Sequence, residues 1–483
     1  MQNSMIIKIL GLLLMVYSVT LVPPVIVALI YQDGAHWAFA TALVLTLIAG
    51  LLLWYPNRHE RRELKIRDGF IVVVMFWTAL GLVGALPLVL EEEVPISITD
   101  AVFESFSGLT TTGATILSGL DTMPHAILWY RQQLQWLGGM GIIVLAVAIL
   151  PMLGIGGMQL YRAEMPGPTK DNKIAPRISE TAKTLWLIYV ALTVACAAAY
   201  KLAGMNWFDA IGHSFSTVAI GGFSTHDASI GYFDSALIEA IAIFFMFLAG
   251  ANFALHFRAF RTLEVRTYFT DPEFKTYTSV LLIGVLISTG YLYWQAVYPS
   301  WTEALRYGSF MTVSIATTTG FGNADFATWP GFLPVMLILM SFIGGSAGST
   351  GGGIKVIRFL LLLKQGVREV QRLMHPNALM PVKLNGRAIS ERVMSSVWGF
   401  FALYVATFVV ILLLLMAFGM DQVTAFSATA ATLNNLGPGL GEVAANFGQI
   451  NDPQKWILTL SMLLGRLEIF TLLVILTRTF WRA

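Results

Sequence analysis

The sequence predicts an all-α integral membrane protein with ten transmembrane segments. We expect an N-terminal helical hairpin followed by four pseudo-symmetric helix–re-entrant pore loop–helix repeats. Composition is the first reason, because 56% of the 483 residues are hydrophobic and 12% are charged, against about 25% charged in a soluble domain. The mean hydropathy is +0.70. So few charges cannot cover a water-facing surface, so we expect lipid to cover much of the chain. The other two reasons for this prediction are ten apolar runs and a sequence pattern that occurs four times.

The apolar runs set the number of segments, since a membrane-spanning helix needs roughly 20 apolar residues. Runs that qualify lie near 5–30, 37–55, 69–90, 125–150, 184–204, 234–257, 276–298, 331–363, 393–418 and 456–480. The first run is too long for the core of a signal peptide, and no small-residue cleavage site follows it. We therefore interpret it as a membrane helix that bends near Pro23 and Pro24.

The charges of the connections alternate along the chain. Basic residues follow the second, fourth, sixth and eighth segments: Arg58, Arg61, Arg62, Lys65, Arg67; Arg162, Lys170, Lys173, Arg177, Lys183; Arg258, Arg261, Arg266, Lys275; Lys364, Arg368, Arg372, Lys383, Arg387, Arg392. Acids dominate the opposite connections, among them Glu91, Asp100, Glu104, Asp209, Asp227, Glu303, Asp325, Asp421 and Glu442. The positive-inside rule then predicts that both termini and the basic loops are cytoplasmic.

Four stretches in the acidic connections align without gaps on one glycine. They are residues 106–113, 215–222, 313–320 and 430–437, and a serine precedes the glycine by six positions in three of them (Ser107, Ser216, Ser314). Each stretch lies between two apolar helices, which predicts four repeats of helix, re-entrant loop and helix. The predicted units are the hairpin at 1–64 and repeats at 65–165, 166–265, 266–385 and 386–483.

Four such loops point to an ion pore. Irregular backbone at membrane depth is tolerated only where it is buried in protein or lines a water-filled path. Loops surrounding one axis can offer carbonyl oxygens to a dehydrated cation, and the glycine lets the chain turn close to that axis. The residues before the glycine share no side-chain chemistry, which favours ligation by backbone. The predicted filter residues are Thr111, Thr112, Gly113, Ile220, Gly221, Gly222, Thr318, Thr319, Gly320, Asn435, Leu436 and Gly437. Ordinary loops with turn glycines are the alternative for any single stretch.

The eighth segment contains six glycines between residues 344 and 353. Each costs a helix roughly 1 kcal/mol, so we expect the segment to break within the membrane. A phosphate-binding loop is excluded, since it needs Lys directly after glycine and Ile354 intervenes here. We predict a gate beneath the filter, and close packing of helices through small residues is the alternative. The gate residues are Gly344, Gly345, Ser346, Ala347, Gly348, Ser349, Thr350, Gly351, Gly352, Gly353 and, from the last segment, Arg466.

Arg466 lies in the middle of the tenth apolar run. An arginine there is costly, so it should face a cavity or a partner. We predict a positive charge that forms a barrier to ions in the pore, and a buried salt bridge without a transport role is the alternative. Among the membrane segments, Glu468 is the obvious carboxylate for coupled transport.

The remaining polar residues of the segments have mostly structural interpretations. We expect Arg131 and Lys201 to snorkel from helix ends, and His213 to be structural, with pH sensing as its alternative. Gln132, Gln133 and Gln135 fit either the pore mouth or hydrogen bonds between helices. No catalytic set or basic–aromatic nucleic-acid pattern stands out, so we predict neither an enzyme nor a nucleic-acid partner.

The four glycine stretches resemble the filter strips of the Trk/Ktr/HKT superfamily of potassium transporters, over the whole chain. The N-terminal hairpin makes the chain most similar to the bacterial TrkH membrane subunits of that superfamily. The resemblance implies uptake of K⁺, a homodimer, TrkA-like nucleotide-binding regulatory subunits in the cytosol, and the bacterial inner membrane. Sodium-permeable members can carry serine at the first-repeat glycine, so glycine at all four positions favours potassium. The strips depart from the TVGYG motif of potassium channels, which predicts fewer ion sites and looser discrimination.

The sequence therefore predicts potassium-selective uptake through one central pore, passive or weakly coupled. A proton- or sodium-coupled symporter is the first alternative and would use a carboxylate inside the bundle. A receptor or membrane-embedded enzyme would need a large soluble domain or a catalytic set, and we find neither in the sequence.

Overall fold

The computed structural model describes residues 3–60, 66–144, 174–378 and 380–482. In these residues the regular structure is helical, apart from a short antiparallel ribbon of β1 (Lys383–Leu384) and β2 (Arg387–Ala388). The predicted all-α class is confirmed. The end of the fourth predicted segment and the boundary predicted at 165 lie outside the described residues. So do the basic residues Arg61, Arg62, Lys65, Arg162, Lys170 and Lys173.

The N-terminal hairpin packs through glycine. Its helices are α1 (Asn3–Val19), α2 (Val22–Tyr31) and α3 (His36–Asn57). The break between α1 and α2 falls just before Pro23 and Pro24, as expected of residues that favour the first turn of a helix. A Cβ added at Gly11 would lie 2.7 Å from the carbonyl oxygen of Gly50, so α1 and α3 meet backbone to backbone.

The first two repeats follow the hairpin. The helices of the first repeat are α4 (Ile66–Gly84), α5 (Leu86–Leu90), α6 (Ile98–Leu109) and α7 (His125–Val144). Those of the second repeat are α8 (Ile174–Leu202), α9 (Trp207–Ala219), α10 (Ala236–Ala249) and α11 (Phe253–Thr262). A short helix, α12 (Arg266–Thr270), connects to the third repeat.

The third and fourth repeats complete the chain. The helices of the third repeat are α13 (Pro272–Trp294), α14 (Trp301–Ala316), α15 (Leu333–Ile343) and α16 (Val356–Met374). Those of the fourth repeat are α17 (Glu391–Ala417), α18 (Gln422–Leu433), α19 (Asp452–Arg466), α20 (Phe470–Leu476) and α21 (Arg478–Arg482).

One short helix in each repeat ends at an aligned glycine stretch. These are α6, α9, α14 and α18, which we call the pore helices, and they contain 12, 13, 16 and 12 residues. At 1.5 Å per residue, such helices cannot cross a hydrocarbon core of about 30 Å. The chain must therefore turn back after each of them, as the four predicted re-entrant loops require. We call the face where the pore helices begin the outer face.

The eighth predicted segment breaks at its glycines, as predicted. Helix α15 ends at Ile343, Gly344 has φ +68°, and helix resumes only at Val356. The tenth predicted segment, 456–480, contains a break that we did not predict. Helices α19 and α20 meet at 112°, because Glu468 and Ile469 adopt left-handed φ values of +52° and +56°.

The sixth predicted segment is also bent. Helix α10 ends at Ala249 and α11 leaves it at 93°, with the side chain of Asn252 capping the backbone N–H of Ala254. The prediction of a single span at 234–257 therefore covers two helices in different directions. The physical reason is that Gly250 weakens the helix and Asn252, a strong N-cap residue, starts the next one.

The helix surfaces suit a lipid surrounding. Among the described residues, six helices are long and apolar enough to cross a membrane, or eight if each bent pair counts as one span. On α13, Leu282, Ile283 and Leu286 are more than half exposed. Large apolar side chains at such positions would be unfavourable in water and are favourable against hydrocarbon. The ten-segment count is consistent with these helices.

Candidate functional site

The pore helices are aligned by side-chain caps at their outer ends. Ser97, Asn206, Ser300 and Asp421 each accept a hydrogen bond from a backbone N–H in the first turn. Residues of these types are the preferred N-caps because they satisfy donors that the helix leaves free. The opposite ends, with their partial negative charge, lead directly into the aligned glycine stretches.

Four strips follow the pore helices, and their backbones repeat the same conformation. The strips are Thr111, Thr112, Gly113; Ile220, Gly221, Gly222; Thr318, Thr319, Gly320; and Asn435, Leu436, Gly437. Their first residues have φ of 53°, 54°, 69° and 54°, and their last glycines have φ of 82°, 79°, 82° and 99°. A left-handed conformation costs a non-glycine residue roughly 1–2 kcal/mol, so surrounding contacts must maintain it four times over.

A repeated hydrogen bond fixes each strip to its pore helix. The N–H of the middle residue donates to the carbonyl five residues earlier: Thr112 to Ser107, Gly221 to Ser216, Thr319 to Ser314 and Leu436 to Ala431, at 2.9, 2.8, 2.8 and 2.7 Å. Each strip thus turns sharply back from the end of its pore helix. The structure confirms that the four stretches are equivalent in backbone as well as in sequence.

The four strips form a closed ring. A Cβ added at Gly113 would lie 2.0 Å from the carbonyl oxygen of Gly221, and one at Gly222 would lie 2.0 Å from that of Thr319. One at Gly320 would lie 2.2 Å from the oxygen of Leu436, and one at Gly437 would lie 2.8 Å from the oxygen of Thr112. Each strip touches the next, and the fourth touches the first. No side chain fits at these four glycines without displacing backbone.

The carbonyl oxygens of the ring are largely without protein donors. The oxygen of Gly221 accepts a hydrogen bond from Nε2 of Gln135 at 2.6 Å. Among the described residues, no hydrogen bond reaches the other carbonyls of the four strips. Buried carbonyls normally have partners, so this ring of unpaired oxygens is suited to a cation.

Side chains of the strips bind neighbouring protein groups. Oγ1 of Thr112 lies 2.7 Å from that of Thr110, and Oγ1 of Thr319 lies 2.8 Å from that of Thr317. The side-chain amide of Asn435 donates to Oγ1 of Thr112 at 2.9 Å. These contacts join the first and fourth strips and leave the backbone to face the centre of the ring.

The glycine loop, residues 344–355, lies against the inner side of the ring. The N–H of Gly352 donates to Oγ1 of Thr318 at 2.7 Å, and that of Gly353 donates to the carbonyl of Asn434 at 3.1 Å. Oγ1 of Thr350 donates to the carbonyl of Val218, at the end of the second pore helix, at 2.9 Å. The loop therefore touches three of the four repeats where their pore helices end.

A buried carboxylate binds the glycine loop and the first turn of the helix α16 that follows it. Oε1 of Glu273 accepts hydrogen bonds from the N–H groups of Ala347 at 2.7 Å and Ile357 at 3.3 Å. The side chain is 3% exposed. We did not single out this residue from the sequence, although an acid among the basic residues at the start of the third repeat is a visible signal.

Arg466 is buried and contacts the glycine loop. Its guanidinium donates to the carbonyl oxygens of Thr350 at 3.2 Å and Gly138 at 3.3 Å, and it lies 5.8 Å from the ring centre of Trp77. Its Nε has no hydrogen-bond partner. Within the described part of the chain, no carboxylate pairs with it. The structure thus brings together the two parts of the predicted gate.

Other charged residues near the loop were not assigned a role in the sequence analysis. Lys355 is 7% exposed and donates to the carbonyl of Gly351. Arg358 pairs with Glu468 at 2.5 Å, which joins the start of α16 to the break between α19 and α20. Lys355 follows the last glycine of the run by two residues, and this position was the signal in the sequence.

The expectation that Arg131 snorkels from a helix end is wrong. Arg131 is 1% exposed and its Nε lies 2.7 Å from Oε1 of Glu104, which is fully buried. Glu104 is therefore not part of an acidic outer surface, and Glu468 is not the obvious carboxylate of the bundle. Only a partner on a different helix could make either residue stable there. Lys201 lies near its helix end and donates to the carbonyl of Met205.

The glutamines of α7 bind other protein segments, as one of the two alternatives predicted. Gln135 contacts the second strip, Gln132 accepts from the hydroxyl of Ser216, and Gln133 donates to the carbonyl of Thr20. His213 fits its structural interpretation: Nδ1 donates to the carbonyl of Asp209 and Nε2 accepts from the hydroxyl of Ser224, both at 2.9 Å.

Comparison with known proteins adds family information to this geometry. Residues 35–480 match the model of a family, TrkH, described as a cation transport protein. Two proteins named Trk system potassium uptake protein TrkH cover the whole chain and are covered by it, one from Salmonella typhimurium at 59% identity and one from Vibrio parahaemolyticus at 58%. The Escherichia coli protein TrkG is 42% identical, over 98% of this chain and 97% of its own length.

A solved structure has the same fold. The crystal structure of the potassium transporter TrkH from Vibrio parahaemolyticus superposes with a TM-score of 0.93. The two chains are 56% identical and each covers the other completely. This similarity confirms the predicted membrane-transporter architecture over the whole length of the chain.

Proposed function

The chain belongs to the TrkH family of cation transport proteins, and from this premise we propose that it takes up potassium across the bacterial inner membrane through the ring of four strips. The chain is a member of a transport family and not an enzyme family. The observation that carries the proposal is the closed ring of carbonyl oxygens without protein donors. Such oxygens can replace the water around a dehydrated cation.

The electrostatics of the ring favour a cation. All four pore helices point their carboxyl ends at it, and each end carries a partial negative charge. The aligned residues Gly113, Gly222, Gly320 and Gly437 leave room for backbone alone. Glycine in all four strips supports selection of potassium over sodium.

The glycine loop and Arg466 together form our proposed gate. The loop covers the inner side of the ring, and Arg466 holds it through the carbonyl of Thr350. A segment with six glycines keeps few conformational restraints of its own. The loop can therefore adopt another conformation once its hydrogen bonds to the ring and to Arg466 break. The guanidinium of Arg466 would then move as well, because it loses its contact with Thr350.

Passive transport fits the charges better than ion-coupled symport. Glu468, the carboxylate that the sequence suggested for coupling, is paired with Arg358 at 2.5 Å, and the buried Glu104 is paired with Arg131 at 2.7 Å. A paired carboxylate exchanges protons or sodium less readily than a free one. We propose a homodimer with TrkA-like nucleotide-binding subunits on the cytosolic side, with both termini cytoplasmic, on the basis of the family and the basic loops.

Gly113→Ser tests the filter. The new Cβ would lie 2.0 Å from the carbonyl oxygen of Gly221 at a φ of +82°, so the backbone at the first strip must move. We expect weaker discrimination between rubidium and sodium in uptake by liposomes containing only the purified protein. Gly399→Ser is the control, because nothing lies within 4 Å of a Cβ at Gly399. Unchanged discrimination in a folded Gly113→Ser protein would remove this residue from the filter.

A further inference from the structure

The ion pair Glu104–Arg131 lies directly behind the ring. Glu104 is on the first pore helix and is 0% exposed, and Arg131 is on α7 and is 1% exposed. Their side chains meet at 2.7 Å. Removing two charges from water costs several kcal/mol per ion, so stability alone is a weak explanation for the pair.

Glu104 binds the segment that leaves the first strip. Its Oε2 accepts a hydrogen bond from the N–H of Ile116 at 3.0 Å, and its two oxygens accept from the hydroxyl of Thr115 at 2.9 and 3.1 Å. Thr115 and Ile116 follow Gly113 by two and three residues. The carboxylate thus fixes the backbone just beyond the ring on its outer side.

Arg131 extends this contact to the second strip. Its guanidinium donates to Oγ1 of Thr115 at 3.0 Å and to the carbonyl of Ser224 at 3.1 Å. It also lies 4.2 Å from the ring centre of Phe223. Phe223 and Ser224 directly follow Gly222. One guanidinium therefore connects the outgoing segments of two adjacent strips.

The four repeats differ at the position of Glu104. The residue nine positions before the aligned glycine is Glu104, His213, Met311 or Ala428. His213 also binds the segment after its strip, through Ser224. The third repeat has Met311 at this position and the fourth has Ala428. An apolar residue here is therefore compatible with the fold of a pore helix. Among the described residues, a polar side chain at this position binds the segment after the strip only in the first and second repeats.

We infer that Glu104 and Arg131 are positioning residues that set ion selectivity by fixing the distance between the first and second strips. This inference rests on the proposed potassium pore. Discrimination depends on how closely the carbonyls can approach an ion. Without the pair, the first two strips can close around a smaller ion. The uptake of sodium then increases relative to that of potassium.

The double variant Glu104→Gln/Arg131→Met tests the inference without leaving a charge unpaired. We expect the preference for rubidium over sodium to fall roughly tenfold, which corresponds to about 1.4 kcal/mol. Arg131→Lys keeps the positive charge, but a single ammonium group cannot reproduce the planar fork that reaches Glu104, Thr115 and Ser224. It should lose part of the preference while folding normally, and it provides the same readout if the double variant does not fold.

Glu239→Gln/Arg306→Met is the matched control. Arg306 pairs with the buried Glu239 at 2.8 Å and also with Asp234, and within the described residues neither side chain bonds to a strip. Its variant should keep wild-type selectivity. Uptake of rubidium and of sodium and the melting temperature are measured on the same liposome preparations. Unchanged selectivity in the folded variants, or an equal change in the control, would overturn the inference. Absence of selective rubidium uptake by the wild type would instead overturn the proposed function.

Discussion

Replacing Arg466 by alanine tests whether a positive charge under the ring limits ion flux. At a separation of roughly 8 Å and an effective dielectric of about 20, two unit charges repel by about 2 kcal/mol. Removing that barrier speeds a flux limited by it about thirtyfold. Uptake of rubidium by liposomes containing the purified variant measures the change directly.

The contacts of Arg466 decide how much stability the substitution costs. The guanidinium bonds to two backbone carbonyls at 3.2 and 3.3 Å, and a hydrogen bond of a charged group contributes about 1.5–3 kcal/mol. Removing the partner of a buried acid would cost about 3–5 kcal/mol. Within the described residues no carboxylate pairs with Arg466, so Arg466→Ala leaves no acid unpaired. The loss of the two hydrogen bonds is offset by the desolvation cost of the buried guanidinium, which disappears with the side chain. The variant should therefore fold.

Arg466→Lys is the control, because it keeps the charge and loses the planar contact with Thr350 and Gly138. Its flux should stay near that of the wild type if the charge is the barrier. If Arg466→Lys speeds flux as much as Arg466→Ala, the contact with the glycine loop matters and the charge does not. A stable Arg466→Ala protein with slower flux would refute the barrier altogether.

Two further predictions concern the loop and the outer face. Shortening the glycine run at residues 344–353 should raise rubidium flux without a regulatory partner, since the inner side of the ring loses its cover, and wild-type flux in a folded deletion would show that the run is packing. At the outer face, burial alone would lower the pKa of His226, but its hydrogen bonds to Asp209 and Asp121 outweigh burial and raise this pKa. A raised folded-state pKa gives stability that is full below the unfolded value of about 6.5 and is lost as the pH rises through the folded value. The melting temperature should therefore fall over that range in the wild type and not in His226→Gln, and equal pH profiles would contradict the assignment.

Much of the architecture could be predicted from the sequence because it depends on local patterns. Lipid-facing helices need long apolar runs, and a helix cannot continue through six glycines in ten residues, so the break after Ile343 was visible. The strip glycines were visible because a backbone turn at φ near +80° strongly favours glycine. A glycine at the same position of four aligned stretches can be detected from the sequence alone.

Apart from the local bend after Ala249, the features that the sequence did not predict involve partners distant in sequence. One glycine, Gly465, precedes the break at Glu468, but a single glycine does not predict a turn of 112°. A contact of Glu468 with Arg358, 110 residues earlier, accompanies the break. Arg131 is placed at a helix end by sequence, but the buried carboxylate of Glu104 compensates its charge. Glu273 binds N–H groups of a loop more than 70 residues away. The spacing of apolar residues along the chain does not show which polar side chains meet across such distances.

The sequence by itself determined that four equivalent loops exist, and that glycine is the residue on which they turn. Only the tertiary structure decided that the loops close into a ring in chain order, that Gln135 binds one carbonyl of that ring, and that the glycine loop and Arg466 lie together beneath it. The physical reason is that the conformation of each strip follows from its own residues. The distance between two strips, such as that between Gly113 and Gly221 or between Gly437 and Thr112, follows from how whole helices pack. Ion selectivity depends on those distances.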